Sequence, residues 1–135
     1  IRFPDIIGNN TGQIPQNSNI SFATLTLTLG SNKPANEHFA YQVLRDWGEG
    51  NQKGVKETGA ASWNAAKTDI DNWGLPGADD TTTDRKPTPT HSTGVVFQSS
   101  TVDFDITSAV QNWANGESNY GVIIIQTGDG NLSSF

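Results

Sequence analysis

Residues 22–29 read FATLTLTL, and this stretch decides the fold class. Apolar residues alternate with threonines, which places the two sets of side chains on opposite faces of a strand. One face carries Ala23, Leu25, Leu27 and Leu29. The threonines on the other face follow from the preference of β-branched residues for strands. The pattern therefore predicts an antiparallel sheet with one buried and one solvated face.

Other short strands are predicted along the chain, separated by turns rich in Gly and Asn. They cover residues 37–44, 95–97, 102–106 and 121–127. In the first of them, Phe39, Tyr41 and Val43 are expected to point inward. Residues 122–125 read VIII, apolar on both faces, which is typical of a central buried strand. The GDGN sequence at 128–131 predicts a hairpin turn, and many short strands of this kind indicate a β-sandwich or a barrel.

One short helix is predicted at residues 108–114. Thr107 is expected to cap it, and Gly116 is expected to follow its end. Val110 and Trp113 would share the buried side of this helix, so that the indole closes one end of the sheets. The predicted core contains Leu25, Phe39, Phe104, Trp113 and Ile124.

The length of 135 residues indicates a single domain, residues 1–135, which the strand pattern predicts as one β-sandwich module, and the composition weighs against several classes of protein. Four Trp, six Phe and two Tyr argue for a packed core. The lack of cysteine excludes disulfides and cysteine-ligated zinc. A net charge of −6 weighs against nucleic acid as a partner, and no apolar run is long enough for membrane insertion. The hydroxyl- and amide-rich composition favours an extracellular or cell-surface location, and the lack of Met indicates a piece of a larger protein.

Residues 48–92 form a long stretch with few strand signals, which predicts a functional loop or one organised by a ligand or an ion. Asp69, Asp71 and Asp80 have part of the spacing of a calcium loop, with a glycine at its sixth position. The EF-hand interpretation fails because Trp73 occupies the fifth position and no flanking helices are predicted. Two interpretations remain, namely a structural Ca²⁺ site that pins the loop, or solvated acids that form turns.

The sequence offers no recognisable catalytic constellation. His38 and His91 have no nucleophile motif to serve and are interpreted as surface residues. A chain of this size also leaves little room for a cleft with paired carboxylates, so we expect no enzymatic activity. Trp47, Trp63 and Trp73 lie in polar, loop-like surroundings, where an indole is either a hydrophobic plug or a platform for a ligand such as a sugar ring.

Several blocks of sequence follow one another in an order that spans nearly the whole chain. They are IRFPDI (1–6), GQIP (12–15), ISFATLTL (20–27), RDWGEG (45–50), SWN (62–64), WGLPGAD (73–79), DITSAVQNW (105–113) and GESNYG (116–121). In this order they resemble the DNRLRE-type domains, which are related to the β-sandwich modules associated with disaggregatases. The resemblance implies a jelly-roll-like antiparallel β-sandwich without catalytic activity, found in secreted polysaccharide-degrading enzymes and cell-surface proteins. It also implies that terminal strands of the family fold lie outside these 135 residues.

Some members of that family bind carbohydrate, alginate included, so the resemblance implies a module that recognises a polysaccharide. The expected site combines loop aromatics with polar neighbours, namely Trp47, Trp73, Arg45, Arg85, Lys86 and His91. Arg45 has an alternative, structural role as a partner of Asp46 or Glu49. The net charge of −6 suits a neutral glycan at least as well as an acidic one. The competing hypothesis is a structural or adhesive subunit of an extracellular fibre, in which neighbouring subunits or flanking domains pair with exposed strand edges.

Overall fold

The computed structural model describes residues 1–30, 36–52, 54–96 and 101–127. In these residues the chain is mostly β, with antiparallel sheets and one short helix. The elements in chain order are β1 (Thr24–Thr28), β2 (Asn36–Gln42), β3 (Ala65–Lys67), β4 (Asp71–Asn72), β5 (His91–Val96), β6 (Thr101–Asp105), α1 (Thr107–Ala114) and β7 (Val122–Thr127). Within the described ranges, no helix has the length and apolar character needed to cross a membrane.

Two antiparallel sheets contribute to one core. β2 is the central strand of a three-stranded sheet of order β5-β2-β7, and β1 pairs with β6. β3 and β4 form a separate small hairpin. The buried core cluster draws on both larger sheets and on the helix, through Ala40, Val102, Phe104, Ile106, Ala109, Val110, Trp113 and Val122. The predicted antiparallel sheets are confirmed, in a chain that is mostly β with one short helix.

The alternation in β1 is confirmed. Leu25 and Leu27 are half-buried, pack against the core and pair with Phe104 and Val102 of β6. Leu29 follows on the same side of the chain and is buried, whereas the threonines of β1 are exposed. The period of two therefore separates a core face from a solvent face as expected.

Trp113 is confirmed as a core residue, with 2% of its surface exposed. It packs with Phe3, whose ring centroid lies 6.0 Å away. Phe104 is fully buried in the same cluster, and Leu25 and Ile124 pack against it. Four of the five predicted core residues therefore meet.

β2 buries the face opposite to the one predicted. His38, Ala40 and Gln42 are at most 2% exposed, whereas Phe39 and Tyr41 are only half-buried. Phe39 is consequently not part of the core cluster, and His38 is not the surface residue that was expected. Burial also lowers the pKa of the His38 imidazole, which favours its neutral form. Val43, which follows the end of β2, is buried as predicted.

Partners far along the chain decide how β2 is oriented. Gln42 is accommodated in the interior because its amide donates to Glu117 (3.0 Å) and accepts from Asn112 (2.8 Å). On the opposite face, the guanidinium of Arg85 lies 4.2 Å from the ring centroid of Tyr41. Because both faces of β2 are covered by other residues, the alternation of aromatic and polar residues does not identify which face lies in the core.

β7 is an edge strand in the described residues and not the central strand predicted. It pairs with β2, and on its other side the N–H of Val122 donates to the carbonyl of Ile1 (2.9 Å). Ile124 packs against the core cluster, and both Ile123 and Ile124 contribute to the lining of a groove. The predicted hairpin turn at 128–131 and the end of the predicted 95–97 strand lie outside the described residues.

The sequence predicts Thr107 as the cap of α1, and this prediction is wrong. Thr107 is the first residue of the helix. Its hydroxyl oxygen accepts the N–H of Ala23 (2.9 Å), which ties the start of the helix to the chain before β1. Hydrogen bonds from the hydroxyl and the backbone N–H of Thr107 hold the pKa of Asp105 below its usual range. Gly116 follows the helix with a φ of 102°, as predicted.

Candidate functional site

The carboxylate of Asp84 organises part of the long segment between β2 and β5. Asp84 is completely buried and accepts the backbone N–H groups of Gly74 (2.9 Å), Leu75 (3.1 Å) and Asp80 (3.3 Å). The Nε atom of Arg45 lies 3.6 Å from the same carboxylate and supplies the countercharge. A side chain of the protein itself therefore fulfils the role that the sequence assigned to a ligand or an ion.

Backbone hydrogen bonds join the start of this segment to the β3–β4 hairpin. Gly48 donates to the carbonyl of Ala66 (2.9 Å) and accepts the N–H of Ala61 (2.7 Å). A Cβ atom at this position would collide with the carbonyl of Gly59, so glycine is needed for the close approach. The contact fixes the preceding residue, Trp47, beside the hairpin.

Three tryptophans line one groove of about 510 Å³. They are Trp47, Trp63 and Trp73, and the remaining lining residues are Ile1, Val43, Ala61, Ser62, Gly77, Ala78, Val122, Ile123 and Ile124. Apart from the hydroxyl of Ser62 and the indole N–H groups, the lining side chains are apolar. The groove lies where the long segment meets β7 and the end of β2, so both parts of the molecule build it.

Hydrogen bonds fix the orientation of two of the indoles. Nε1 of Trp47 donates to the carbonyl of Tyr120 (2.8 Å), and Nε1 of Trp73 donates to the carbonyl of Ser62 (2.9 Å). Both rings are half-buried. The orientation of these two rings is therefore fixed by the protein itself.

Trp63 is the most exposed of the three, at 71%. Its carbonyl accepts the N–H of Gly77 (2.6 Å), and its ring lies against the same glycine. Gly77 has a φ of 81°, and a Cβ atom there would come within 2.7 Å of the indole. The set of site residues expected from the sequence lacks Trp63, although it shares its strand-poor segment with Trp73.

A small cluster of charges supports Trp47. The guanidinium of Arg2 lies 4.9 Å from the ring centroid and donates to the Trp47 carbonyl and to the carboxylate of Asp46 (2.8 Å). Nζ of Lys67 is 2.5 Å from the same carboxylate. The hydrogen bond from Lys67, together with that from Arg2, holds the pKa of Asp46 below its usual range.

Arg45 is not part of the groove lining. Its guanidinium donates to the carbonyl of Asn72 and lies 3.6 Å from the carboxylates of Asp71 and Asp84. These contacts agree with the alternative, structural role of Arg45, but the partners are distant in sequence and are not the Asp46 or Glu49 that was predicted.

The other three basic residues of the expected site also lie outside the groove lining. Arg85 pairs with Asp79 at 2.5 Å, Lys86 pairs with Glu117 at 3.1 Å, and His91 packs edge-on against Phe104 with ring centroids 6.1 Å apart. Of the six expected binding residues, the structure brings only Trp47 and Trp73 together at the groove.

The three candidate calcium ligands are each engaged separately. Asp69 pairs with Lys56 (2.7 Å), Asp71 faces Arg45 (3.6 Å), and Asp80 accepts the backbone N–H of Thr82 (2.7 Å). Nowhere in residues 1–30, 36–52, 54–96 and 101–127 do three or more His or acidic side chains form a group able to hold a metal ion. The acids form turns and ion pairs, which agrees with the second of the two sequence-based interpretations.

Comparison of the chain with protein-family models, with curated proteins and with solved structures finds no match.

Proposed function

We propose that the protein is a non-catalytic, extracellular carbohydrate-binding module with a jelly-roll-like β-sandwich of the DNRLRE type. In this proposal the groove recognises a polysaccharide. The observation that carries the proposal is the convergence of Trp47, Trp63 and Trp73 on one groove. Its volume of about 510 Å³ falls within the range of pockets that hold small organic ligands.

The chemistry of the groove suits sugar rings. A pyranose presents an apolar C–H face that stacks on an indole, and each stacked ring removes apolar surface from water. The hydroxyl of Ser62 accepts the N–H of Ala65 (3.2 Å), which leaves its own hydrogen available to donate to a sugar hydroxyl.

Affinity for a single module is expected to be modest. The groove offers three stacking surfaces and few hydrogen-bonding side chains. Repetition of the module along a chain or at a cell surface would raise the overall affinity by multivalency.

Replacing tryptophans of the groove tests the proposal. A glycan array identifies a ligand, and calorimetry then compares the wild type with Trp63→Ala and Trp73→Ala. We expect each variant to lose about tenfold or more in affinity, which corresponds to roughly 1.4 kcal/mol per tenfold.

Phe22 provides the matched control, because it is 81% exposed and is not among the groove residues. Phe22→Ala should bind like the wild type. Absence of any glycan bound by the folded wild type would reject the proposal, as would equal losses in the Phe22 and Trp63 variants.

The second candidate is a building block of an extracellular fibre held together by strand exchange. The edge position of β7 favours it, because the described residues place only Ile1 alongside, at Val122. An edge with room for further pairing can accept a strand from a neighbouring subunit.

Sedimentation velocity over a range of concentrations separates the two candidates. Strand exchange predicts dimers or longer assemblies that persist without glycan. A monodisperse monomer at high concentration, together with glycan binding, would leave the carbohydrate-binding module as the function.

A further inference from the structure

We infer that the groove takes an uncharged polysaccharide, an inference that rests on the proposed function and names its substrate class. The first observation is that no ionisable side chain lines the groove. Acidic polysaccharides carry one carboxylate or sulfate on many of their sugars, so their recognition requires cationic side chains at the site. The lining supplies indoles and aliphatic side chains in place of such groups.

The second observation is that every lysine and arginine in the described residues forms an ion pair within the fold. The pairs are Arg2–Asp46, Arg45–Asp71 and Asp84, Lys56–Asp69, Lys67–Asp46, Arg85–Asp79, and Lys86–Glu117. A cation that already has a carboxylate partner contributes less net attraction to a second anion. Arg2 and Lys67 share one carboxylate and keep one net positive charge between them, but neither side chain lines the groove.

Recruiting Arg45 or Arg2 to an acidic ligand would disturb the fold. If Arg45 turned towards a ligand, it would leave the completely buried Asp84 without its countercharge, which is strongly destabilising. If Arg2 turned away, it would give up both Asp46 and its stacking on Trp47. The net charge of −6 adds a general repulsion of polyanions.

The three indoles further restrict the class of sugar that the groove would bind. Their faces require a sugar with a continuous C–H surface, which hexoses and pentoses with equatorial hydroxyls present. The expected ligand is therefore a neutral polysaccharide built from such sugars.

The test compares neutral and acidic oligosaccharides of equal length at two salt concentrations. An array of neutral glucans, mannans and xylans beside alginate and polygalacturonate fragments identifies binders, and calorimetry measures them at low and at high NaCl. We expect a neutral ligand whose affinity changes by less than about twofold with salt, because no charges are paired on binding. We expect acidic fragments to bind at least about tenfold more weakly.

The possible results distinguish failure of the inferred uncharged substrate class from failure of the proposed carbohydrate-binding function. Tighter binding of an acidic fragment, weakened by salt, would overturn the uncharged class and retain carbohydrate binding. Binding of neither class would overturn the proposed function and this inference with it.

A pair of charge variants tests the reason given for the preference. Asp46→Asn leaves Arg2 and Lys67 beside Trp47 without their shared carboxylate, so we expect it to raise the affinity for acidic fragments several-fold. Asp103→Asn makes the same change in net charge on β6, where the carboxylate binds Thr26, and we expect a smaller gain. Equal gains in both variants would overturn the assignment of the preference to the ion pairs at the groove.

Discussion

The sheet core and the long segment between β2 and β5 are held together by different forces. In the core, side chains such as Phe104, Val110 and Trp113 are at most 2% exposed and pack on one another. In the long segment, the completely buried Asp84 gathers backbone N–H groups, and none of the three tryptophans is fully buried, with Trp63 mostly exposed. Apolar burial stabilises the first region, and polar bonds shape the second.

The difference explains where a binding groove can form. A well-packed core has no room for a ligand, whereas a segment shaped by hydrogen bonds can hold indoles at the surface without burying them. The groove lies at the junction, with Val43 and Val122 from the sheet side and Trp63 and Trp73 from the segment. Each of the following substitutions tests either the sheet core or the long segment.

The largest effect is expected for Trp113→Ala. Removing a 2% exposed indole leaves a cavity in the core, so the free energy of unfolding should fall by about 3–5 kcal/mol. Urea denaturation followed by circular dichroism measures the change. Trp63→Ala, at a site 71% exposed, is the control and should cost far less. Similar losses for both variants would contradict the assignment of the two indoles to core and surface.

Asp84→Ala should have the next largest effect, of about 3 kcal/mol, because it leaves buried backbone donors and Arg45 without their acceptor. Limited proteolysis should show new cleavage within residues 70–90, and glycan binding should be lost. Asp79→Ala removes a 62% exposed carboxylate from an ion pair with Arg85 and should change stability by less than about 1 kcal/mol. If Asp84→Ala is as stable as Asp79→Ala, the long segment does not depend on the buried carboxylate.

Gly77→Ala tests whether the backbone of the long segment positions the Trp63 ring. Its φ of 81° strains an alanine, and the added methyl group would displace the Trp63 ring from 2.7 Å. We expect a loss of about 1–2 kcal/mol in stability from strain and a separate loss of glycan affinity. Gly54→Ala is the matched control, because Gly54 has a φ of 72° with open space around it. Equal affinities in the two variants would show that the position of Trp63 does not matter for binding.

The smallest effect is a pH dependence at Asp46. The folded-state pKa of this carboxyl lies below its unfolded value because Lys67 and Arg2 bind it, so its contribution to stability is present above the unfolded pKa. That contribution is lost as the pH falls through the folded pKa. Acid titration of the intrinsic fluorescence should show a change near Trp47 that is absent from Asp46→Asn. An identical titration in both proteins would contradict the assignment.

The regular part of the fold could be predicted because its signals are local. The alternation at 22–29 gave the correct faces of β1, and the spacing of Val110 and Trp113 gave a helix with a buried indole. The orientation of β2 could not be predicted in this way, because Gln42 is buried through partners about 70 residues away in the chain.

The candidate site could be predicted only in part. Loop tryptophans are an informative signal, since a large apolar ring in polar surroundings has either a packing or a binding role, and Trp47 and Trp73 do line the groove. Basic residues are a poor signal, since each lysine and arginine in the described part of the chain finds a carboxylate that sequence spacing does not reveal. Arg45 illustrates this, because Asp71 and Asp84 are its partners although Asp46 is adjacent.

By itself, the sequence determined that this chain is mostly antiparallel β with one short helix and an indole in its core, because strand period and helix spacing are properties of neighbouring residues. Only the tertiary structure decided which face of β2 is buried, that β7 lies at a sheet edge in the described residues, and that three indoles meet in one groove. Those outcomes depend on contacts between segments that are distant in sequence. The free energies of these contacts depend on burial and charge pairing throughout the folded chain, which neighbouring residues alone do not determine.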